Sequence, residues 1–177
     1  MTISKYQPGK NSKLNMKINI IKEQISSTKE KTDKLIADFS AEKWLETPEV
    51  LNTNLNWQIG HIILANYLHG IASISGANEE LREKINIPDY IKFYGPKSNP
   101  TDFINEKPNQ MELSKIYEYT ISLILENLNK LTENNLNENT VIPNPSVKTK
   151  YEALKWLSHH QSWHNGQIAM LKRVLYN

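Results

Sequence analysis

Four stretches of the chain repeat apolar residues at intervals of three and four positions, which is the spacing of one face of an α-helix. They cover residues 14–39, about 54–75, about 111–131 and about 149–175. No stretch alternates apolar and polar residues with the period of two that is typical of a half-buried strand. The pattern therefore predicts an all-α protein with four long helices.

Several residues mark where these helices begin and end. Thr149 followed by Glu152 is a capping-box pattern, and it comes just after a Pro-Asn-Pro sequence that ends at Pro145. Gly76 follows the second stretch and is a candidate helix stop. We therefore expect the last helix to begin near Thr149 and the second to end near Gly76.

The connections between the stretches differ in length. Roughly 15 residues join the first to the second and the third to the fourth, whereas residues 77–110 join the second to the third. A helix of about 20 residues is about 30 Å long, and a segment as long as 77–110 can cross that distance. We therefore predict one domain, residues 1–177, that forms a four-helix bundle of up-down-down-up topology. Residues 1–12 form a polar N-terminal tail.

The composition narrows the function classes. The formal net charge is +2, from 21 basic and 19 acidic side chains, and basic residues do not cluster with aromatic ones, so nucleic-acid binding is not expected. No apolar run is long enough to span a membrane and no signal segment is recognisable, which leads us to expect a cytoplasmic protein. The chain has no Cys, so any bound metal ion needs nitrogen or oxygen ligands.

Two histidines in the fourth stretch have the spacing of metal ligands. His160 and His164 are four positions apart, so they lie about 40° from each other around a helix and one turn apart along it. His159 is five positions from His164 and points about 140° away from it, so we expect His159 to be exposed or to serve in packing. An HxxxH pair is by itself a weak signal for a metal site.

A third ligand has to come from another helix. His61 lies on the apolar stripe of the second helix, where an imidazole in the core needs a polar partner. His69 is about 12 Å further along the same helix and cannot reach the same ion. Two interpretations stay open, namely a three-histidine metal site of His61, His160 and His164, or three buried histidines that are hydrogen-bonded to carbonyls or to one another.

Two segments resemble a known family. Residues 56–62, with the sequence NWQIGHI, and residues 160–168, with the sequence HQSWHNGQI, are similar to the DinB-like family of damage-inducible proteins and YfiT-type metalloenzymes. The similarity extends from the first helix to about Arg173. The resemblance implies a four-helix bundle, often a homodimer, that binds one divalent metal ion through His61, His160 and His164.

The resemblance also suggests a range of chemistry. Three imidazoles leave coordination positions open, as in a reactive site, and they suit Zn or Ni best. Because family members with known activity are thiol S-transferases, the resemblance implies that this protein transfers a low-molecular-weight thiol to a second small-molecule substrate. Hydrolysis is a variant of this reaction. Gln161 stands where HExxH proteases have a Glu, so a protease is not expected. The alternative is a non-catalytic, stress-associated bundle with a structural or vestigial metal site.

Overall fold

The computed structural model describes residues 15–176, most of which are helical. The α-helices are α1 (Met16–Ile36), α2 (Leu55–Asn66), α3 (Ser73–Ser75), α4 (Glu79–Lys84), α5 (Ile87–Tyr94), α6 (Gln110–Asn129) and α7 (Lys150–Tyr176). A π-helical segment, Tyr67–Ala72, connects α2 to α3 without a break. The predicted helical class is confirmed. The predicted tail, residues 1–12, and the apolar residue Leu14 lie outside the described residues.

The four long helices coincide with the four apolar stretches of the sequence, and they share one core. Helix α1 packs against α7 and α6, and α2 packs against α6 and α7. The core contains apolar residues from these stretches, among them Ile18, Ile21, Ile25, Leu113, Ile124, Leu128, Ala153, Leu157, Ile168 and Leu171. Burial of these apolar faces is the main contribution to stability. Among residues 15–176, no helix combines the length and the apolar character that crossing a membrane requires.

Contacts between α1 and α6 follow opposite orders along the two helices. Lys22 Nζ donates a hydrogen bond of 2.7 Å to Asn129 Oδ1, near the end of α6. Lys29, one to two turns later on α1, forms an ion pair of 2.7 Å with Glu118, which is earlier on α6. The two helices therefore run in opposite directions where they touch.

The second helix, from α2 to α3, contacts α6 in the same order along both helices, but it contacts α7 in the opposite order. Asn56 on α2 donates to the Pro108 carbonyl just before α6 begins. Ser75, on α3 at the end of the same continuous helix, accepts from Asn127 near the end of α6. With α7 the order is reversed, since Gln58 bonds to Gln167 whereas the later Asn66 bonds to Gln161.

The long crossover, residues 77–110, is partly helical. Gly76 has a φ of 90°, a conformation that favours glycine, and it ends the second helix as predicted. Helices α4 and α5 follow, and the side chains of Asn78 and Asn86 cap their first turns by accepting main-chain N–H groups. Helix α5 packs against α2 and ends at Tyr94, which is fully buried.

One element was not predicted. Strands β1 (Asn139–Asn144) and β2 (Val147–Thr149) form a two-stranded antiparallel sheet between α6 and α7, so the expectation of a chain without strands was wrong at this point. Most residues of β1 are exposed, and an exposed hairpin has no buried face to impose a period of two on its sequence. The predicted capping box is present, because Glu152 N donates to Thr149 Oγ1 and Thr149 N donates to Glu152 Oε2.

Candidate metal centre

The three histidines predicted as ligands meet between α2 and α7. The Nε2 atom of His160 lies 3.2 Å from Nε2 of His61 and 3.2 Å from Nε2 of His164. One ring nitrogen from each of the three residues lies within 4.8 Å of the other two. His61 and His164 are buried, whereas His160 is half-buried at the edge of the cluster. The three histidines selected from the helical spacing therefore lie close enough together to hold one metal ion.

The two histidines that the spacing set aside lie elsewhere. His159 is exposed and stacks at a tilt on Trp163, with ring centroids 4.5 Å apart. His69 is buried in the π-helical segment, and its Nδ1 lies 3.0 Å from the side-chain nitrogen of Asn144. Neither histidine belongs to the three-residue group.

A main-chain carbonyl fixes the orientation of His61. Its Nδ1 lies 2.6 Å from the carbonyl oxygen of Tyr94, at the end of α5. Because a carbonyl oxygen only accepts, Nδ1 carries the proton and the neutral ring presents an unprotonated Nε2 to the cluster. The Tyr94 ring lies directly over Gly60, and a Cβ atom at Gly60 would collide with it.

Hydrogen-bonded side-chain amides fix the orientation of His164. Its Nδ1 lies 2.6 Å from Gln58 Oε1. The Gln58 amide nitrogen donates to Thr53 Oγ1 at 2.7 Å and to Gln167 Oε1 at 2.8 Å, which assigns the amide oxygen to the side facing His164. His164 therefore also presents an unprotonated Nε2 to the cluster. Such partners orient and strengthen histidine ligands in metal sites.

The resulting group of nitrogens suits a cation. Two unprotonated Nε2 atoms face the Nε2 of His160, which carries at most one proton when the ring is neutral and so satisfies only one of them. Three Zn–N bonds of about 2.0–2.1 Å at near-tetrahedral angles place the nitrogens about 3.3 Å apart. Two of the three separations, at 3.2 Å, match that spacing, and all three ligand atoms lie within 4.8 Å of one another. The donor set thus fits a divalent ion.

The three rings are held in the neutral form that metal binding requires. Burial, followed by the proximity of His160 and His61, lowers the pKa of His164 to about 3. Burial and the neighbouring histidines lower the pKa of His160 to about 4. Burial also lowers the pKa of His61, against the opposing effect of its bond to the Tyr94 carbonyl. At neutral pH, protons therefore do not compete with a metal ion for these nitrogens.

Two tryptophans flank the cluster. The Trp57 ring stacks on His61, with centroids 4.9 Å apart and an angle of 11° between the planes. The Trp156 ring stacks on His160, at 5.8 Å and 28°. These apolar walls limit the access of water to two of the three imidazoles. Trp163, in contrast, is 53% exposed and does not contact the cluster rings.

The side chain of Gln161 is buried and not solvated. Its position away from the ligand face predicts a solvated side chain, but the residue is 4% exposed. Its amide nitrogen donates to Tyr117 Oη at 2.5 Å and to Thr32 Oγ1 at 2.7 Å. Thr32 in turn donates to Asn165 Oδ1 at 2.8 Å. This buried network connects α1, α6 and α7, and it turns Gln161 away from the three histidines.

The hydrogen-bond acceptors of the histidines were not predicted from the sequence. Gln58 lies three positions before His61 on the buried side of α2, and this spacing was the available signal for its role. The acceptor for His61 is a main-chain atom of the crossover, for which the sequence contains no signal. A glycine within a helix often permits close helix contact, but Gly166 is exposed with open space beside it.

The sequence profile of the DinB superfamily matches residues 24–168, which contain all three clustered histidines. The chain belongs to the DinB superfamily. A solved structure with the same fold is that of a conserved protein from Enterococcus faecalis, with a TM-score of 0.67 and 16% sequence identity. The alignment covers 88% of this chain and 94% of that one. Among curated protein sequences, none is significantly similar to this DinB-superfamily chain.

Proposed function

We propose that this DinB-superfamily protein is a metal-dependent enzyme that uses one divalent ion, Zn or Ni, bound by His61, His160 and His164. The observation that carries the proposal is the pair of 3.2 Å distances from His160 Nε2 to the Nε2 atoms of His61 and His164, whose own Nδ1 atoms are already hydrogen-bonded. When bound, such an ion supplies a lowered pKa for a coordinated water or thiol and polarises a substrate oxygen.

The protein residues prepare the site for this chemistry. The Tyr94 carbonyl and Gln58 hold the Nδ1 protons of His61 and His164, so that both rings keep one orientation. Trp57 covers the His61 ring, whereas His160 is half-buried and is the most exposed of the three ligand rings.

The reaction we favour is the transfer of a low-molecular-weight thiol to an electrophilic small molecule. The three-residue group contains no carboxylate, and Gln161 is engaged by Tyr117 and Thr32, so no general base of the HExxH kind faces the cluster. A thiol needs less help from such a base than water does, because its ordinary pKa is much lower. Hydrolysis is the variant that would require a base from outside this group.

One observation favours the alternative of a non-catalytic bundle. Two cavities formed by the described residues, of about 780 and 730 Å³, are lined by other residues and not by the three histidines. A bundle with a structural or vestigial metal site, associated with a stress response, would need no substrate cavity at the cluster.

A thiol-conjugation screen separates the two functions. The metal-loaded protein is mixed with several low-molecular-weight thiols and an electrophile, and loss of free thiol is followed against a His160→Ala control. Turnover by the wild type that the variant lacks supports the enzyme. Equal, background rates for all thiols, with metal bound to the wild type, support the non-catalytic bundle.

The proposal also covers the helix topology, the oligomeric state and the cellular location of the protein. Opposed contacts between α1 and α6 and between α2 and α7, together with the shared order of contacts between α2 and α6, support an up-down-down-up bundle. A homodimer and a cytoplasmic location stay predictions, to be checked by light scattering of the purified protein and by cell fractionation.

A further inference from the structure

A groove that the proposed function does not use lies beside the three-histidine cluster. It has a volume of about 780 Å³ and is formed by the hairpin turn after Asn144 and the first turns of α7. Volumes of about 300–1,000 Å³ are usual for small-molecule sites. Trp156 separates it from the cluster, because its ring lines the groove and also stacks on His160.

The groove carries an excess of positive charge. Lys148 and Lys155 line it, and neither forms an ion pair with another side chain of residues 15–176. Its one acidic residue, Glu152, accepts the main-chain N–H groups of Lys148 at 2.7 Å and Thr149 at 3.1 Å. These bonds lower the pKa of Glu152 and occupy one of its two carboxylate oxygens, Oε2. The two ammonium groups are therefore available to an anion.

The groove also offers flat apolar surfaces. Trp156 and His159 line it, and their ring centroids lie 5.8 Å apart. Trp163 extends this surface, since it lies 4.5 Å from His159 and 5.5 Å from Trp156 and is 53% exposed. The rings are tilted or edge-on to one another, with interplanar angles of 54° for Trp156 and His159, 59° for His159 and Trp163, and 84° for Trp156 and Trp163. Aromatic side chains that stay exposed beside a cavity are a common feature of ligand sites.

The floor of the groove is fixed before any ligand binds. Asn144 Nδ2 lies 3.0 Å from His69 Nδ1 and 3.1 Å from Ser73 Oγ, in the π-helical segment and α3. Asn144 Oδ1 accepts the main-chain N–H of Ser146 at 3.0 Å. The hairpin turn is thus tied to the second helix, and a preformed site loses less conformational entropy on binding.

We propose that this groove binds a small organic anion with a flat apolar body. Lys148 and Lys155 attract the acidic group, and the tilted rings of Trp156, His159 and Trp163 provide apolar contacts for the faces and edges of the body. The site is independent of the metal ion, because none of the three clustered histidines lines it.

A second cavity provides the internal comparison. It has nearly the same volume, about 730 Å³, but three acidic residues balance its three lysines, and Tyr119 is its one aromatic residue. Its lysines include Lys84 and Lys115, both exposed. Charge complementarity therefore favours the first groove for an anion.

The probe for the test is 8-anilinonaphthalene-1-sulfonate, an aromatic anion whose fluorescence rises on binding. We expect the double variant Lys148→Gln/Lys155→Gln to bind it about tenfold more weakly than the wild type, since each exposed ammonium contributes modestly. The matched control, Lys84→Gln/Lys115→Gln, should keep the wild-type Kd. The neutral analogue N-phenyl-1-naphthylamine should bind both double variants equally. An unchanged Kd in the first variant, or an equal loss in the control, would overturn the proposal.

A second measurement locates the probe without any substitution. The four indole N–H signals of Trp44, Trp57, Trp156 and Trp163 are followed by NMR as the probe is added, with and without metal. We expect shifts at Trp156 and Trp163 in both conditions, and none at the buried Trp44 or at Trp57 beside the cluster. Shifts confined to Trp57 would contradict the groove, whereas a protein that fails to bind metal would leave this result unaffected.

Discussion

His61 on α2 donates a hydrogen bond of 2.6 Å to the main-chain carbonyl of Tyr94, the last residue of α5. The contact gives the long crossover a specific role, because its backbone holds one of the three clustered rings in place. The Tyr94 side chain is anchored as well, since its hydroxyl donates to Asn56 Oδ1 at 3.1 Å. Gly60 leaves the space that the Tyr94 ring occupies.

Replacing Gly60 by Ala should disturb this contact. The new Cβ collides with the ring of Tyr94, and in a packed core such overpacking costs about 1–3 kcal/mol. We expect a lower free energy of unfolding in urea and weaker metal binding, because the Tyr94 carbonyl has to move away from His61.

Gly166→Ala is the matched control for that substitution. Gly166 lies in α7 with open space beside it, so Ala should stabilise the helix by about 1 kcal/mol and leave metal affinity unchanged. The account of Gly60 fails if both substitutions have the same effect on stability.

Substitution of Gln58 by Leu tests the second orienting bond. It removes the acceptor of the His164 Nδ1 proton while keeping a side chain of similar size. Loss of such a partner typically lowers metal affinity by about 10- to 100-fold, and calorimetric titration with Zn should show a decrease of this order. Gln167→Leu, which changes an exposed residue one bond further away, should lower the affinity less. Equal affinities for the wild type and Gln58→Leu would exclude an orienting role.

The buried position of Gln161 leads to a prediction about stability. Gln161→Leu removes the donor to Tyr117 Oη and Thr32 Oγ1, and groups left unsatisfied in the core cost about 1–3 kcal/mol. Thermal and urea unfolding should both show this loss. Ser162→Ala, at the exposed neighbouring position, should change the free energy of unfolding by less than about 0.5 kcal/mol. A Gln161→Leu protein as stable as the Ser162→Ala protein would contradict the network.

The three candidate ligands could be predicted from the sequence, but the residues that accept hydrogen bonds from them could not. Helical spacing alone paired His160 with His164 and set aside His159 and His69, because angles around a helix follow from chain position. The Tyr94 carbonyl could not be found this way, since which main-chain atom reaches His61 depends on the path of the crossover.

The fold shows a similar division. Apolar spacing located the four long helices because each buries one face in the common core. The hairpin of β1 and β2 was not predicted because few of its side chains are buried, so its sequence shows no apolar period. The burial of Gln161 was not predicted because the sequence does not indicate which residues of α1 and α6 form hydrogen bonds with it.

His69 predicts a pH dependence of stability. Burial lowers its pKa from 6.5 to about 4, so the unfolded chain takes up a proton between these values while the folded protein does not. The free energy of unfolding of the metal-free protein should therefore fall as the pH is lowered from 6.5 to 4, and the contribution of His69 should be fully present above pH 6.5. His69→Gln should lessen this fall, as measured by urea unfolding across the range. Parallel curves for the two proteins would show that His69 does not contribute.

The central claim is that His61, His160 and His164 bind one divalent ion. The most direct measurement is elemental mass spectrometry of the purified protein after reconstitution with Zn or Ni and removal of free metal. We expect close to one ion per chain in the wild type and in His159→Ala, and almost none in His160→Ala. A wild type that holds no more metal than His160→Ala would contradict the claim.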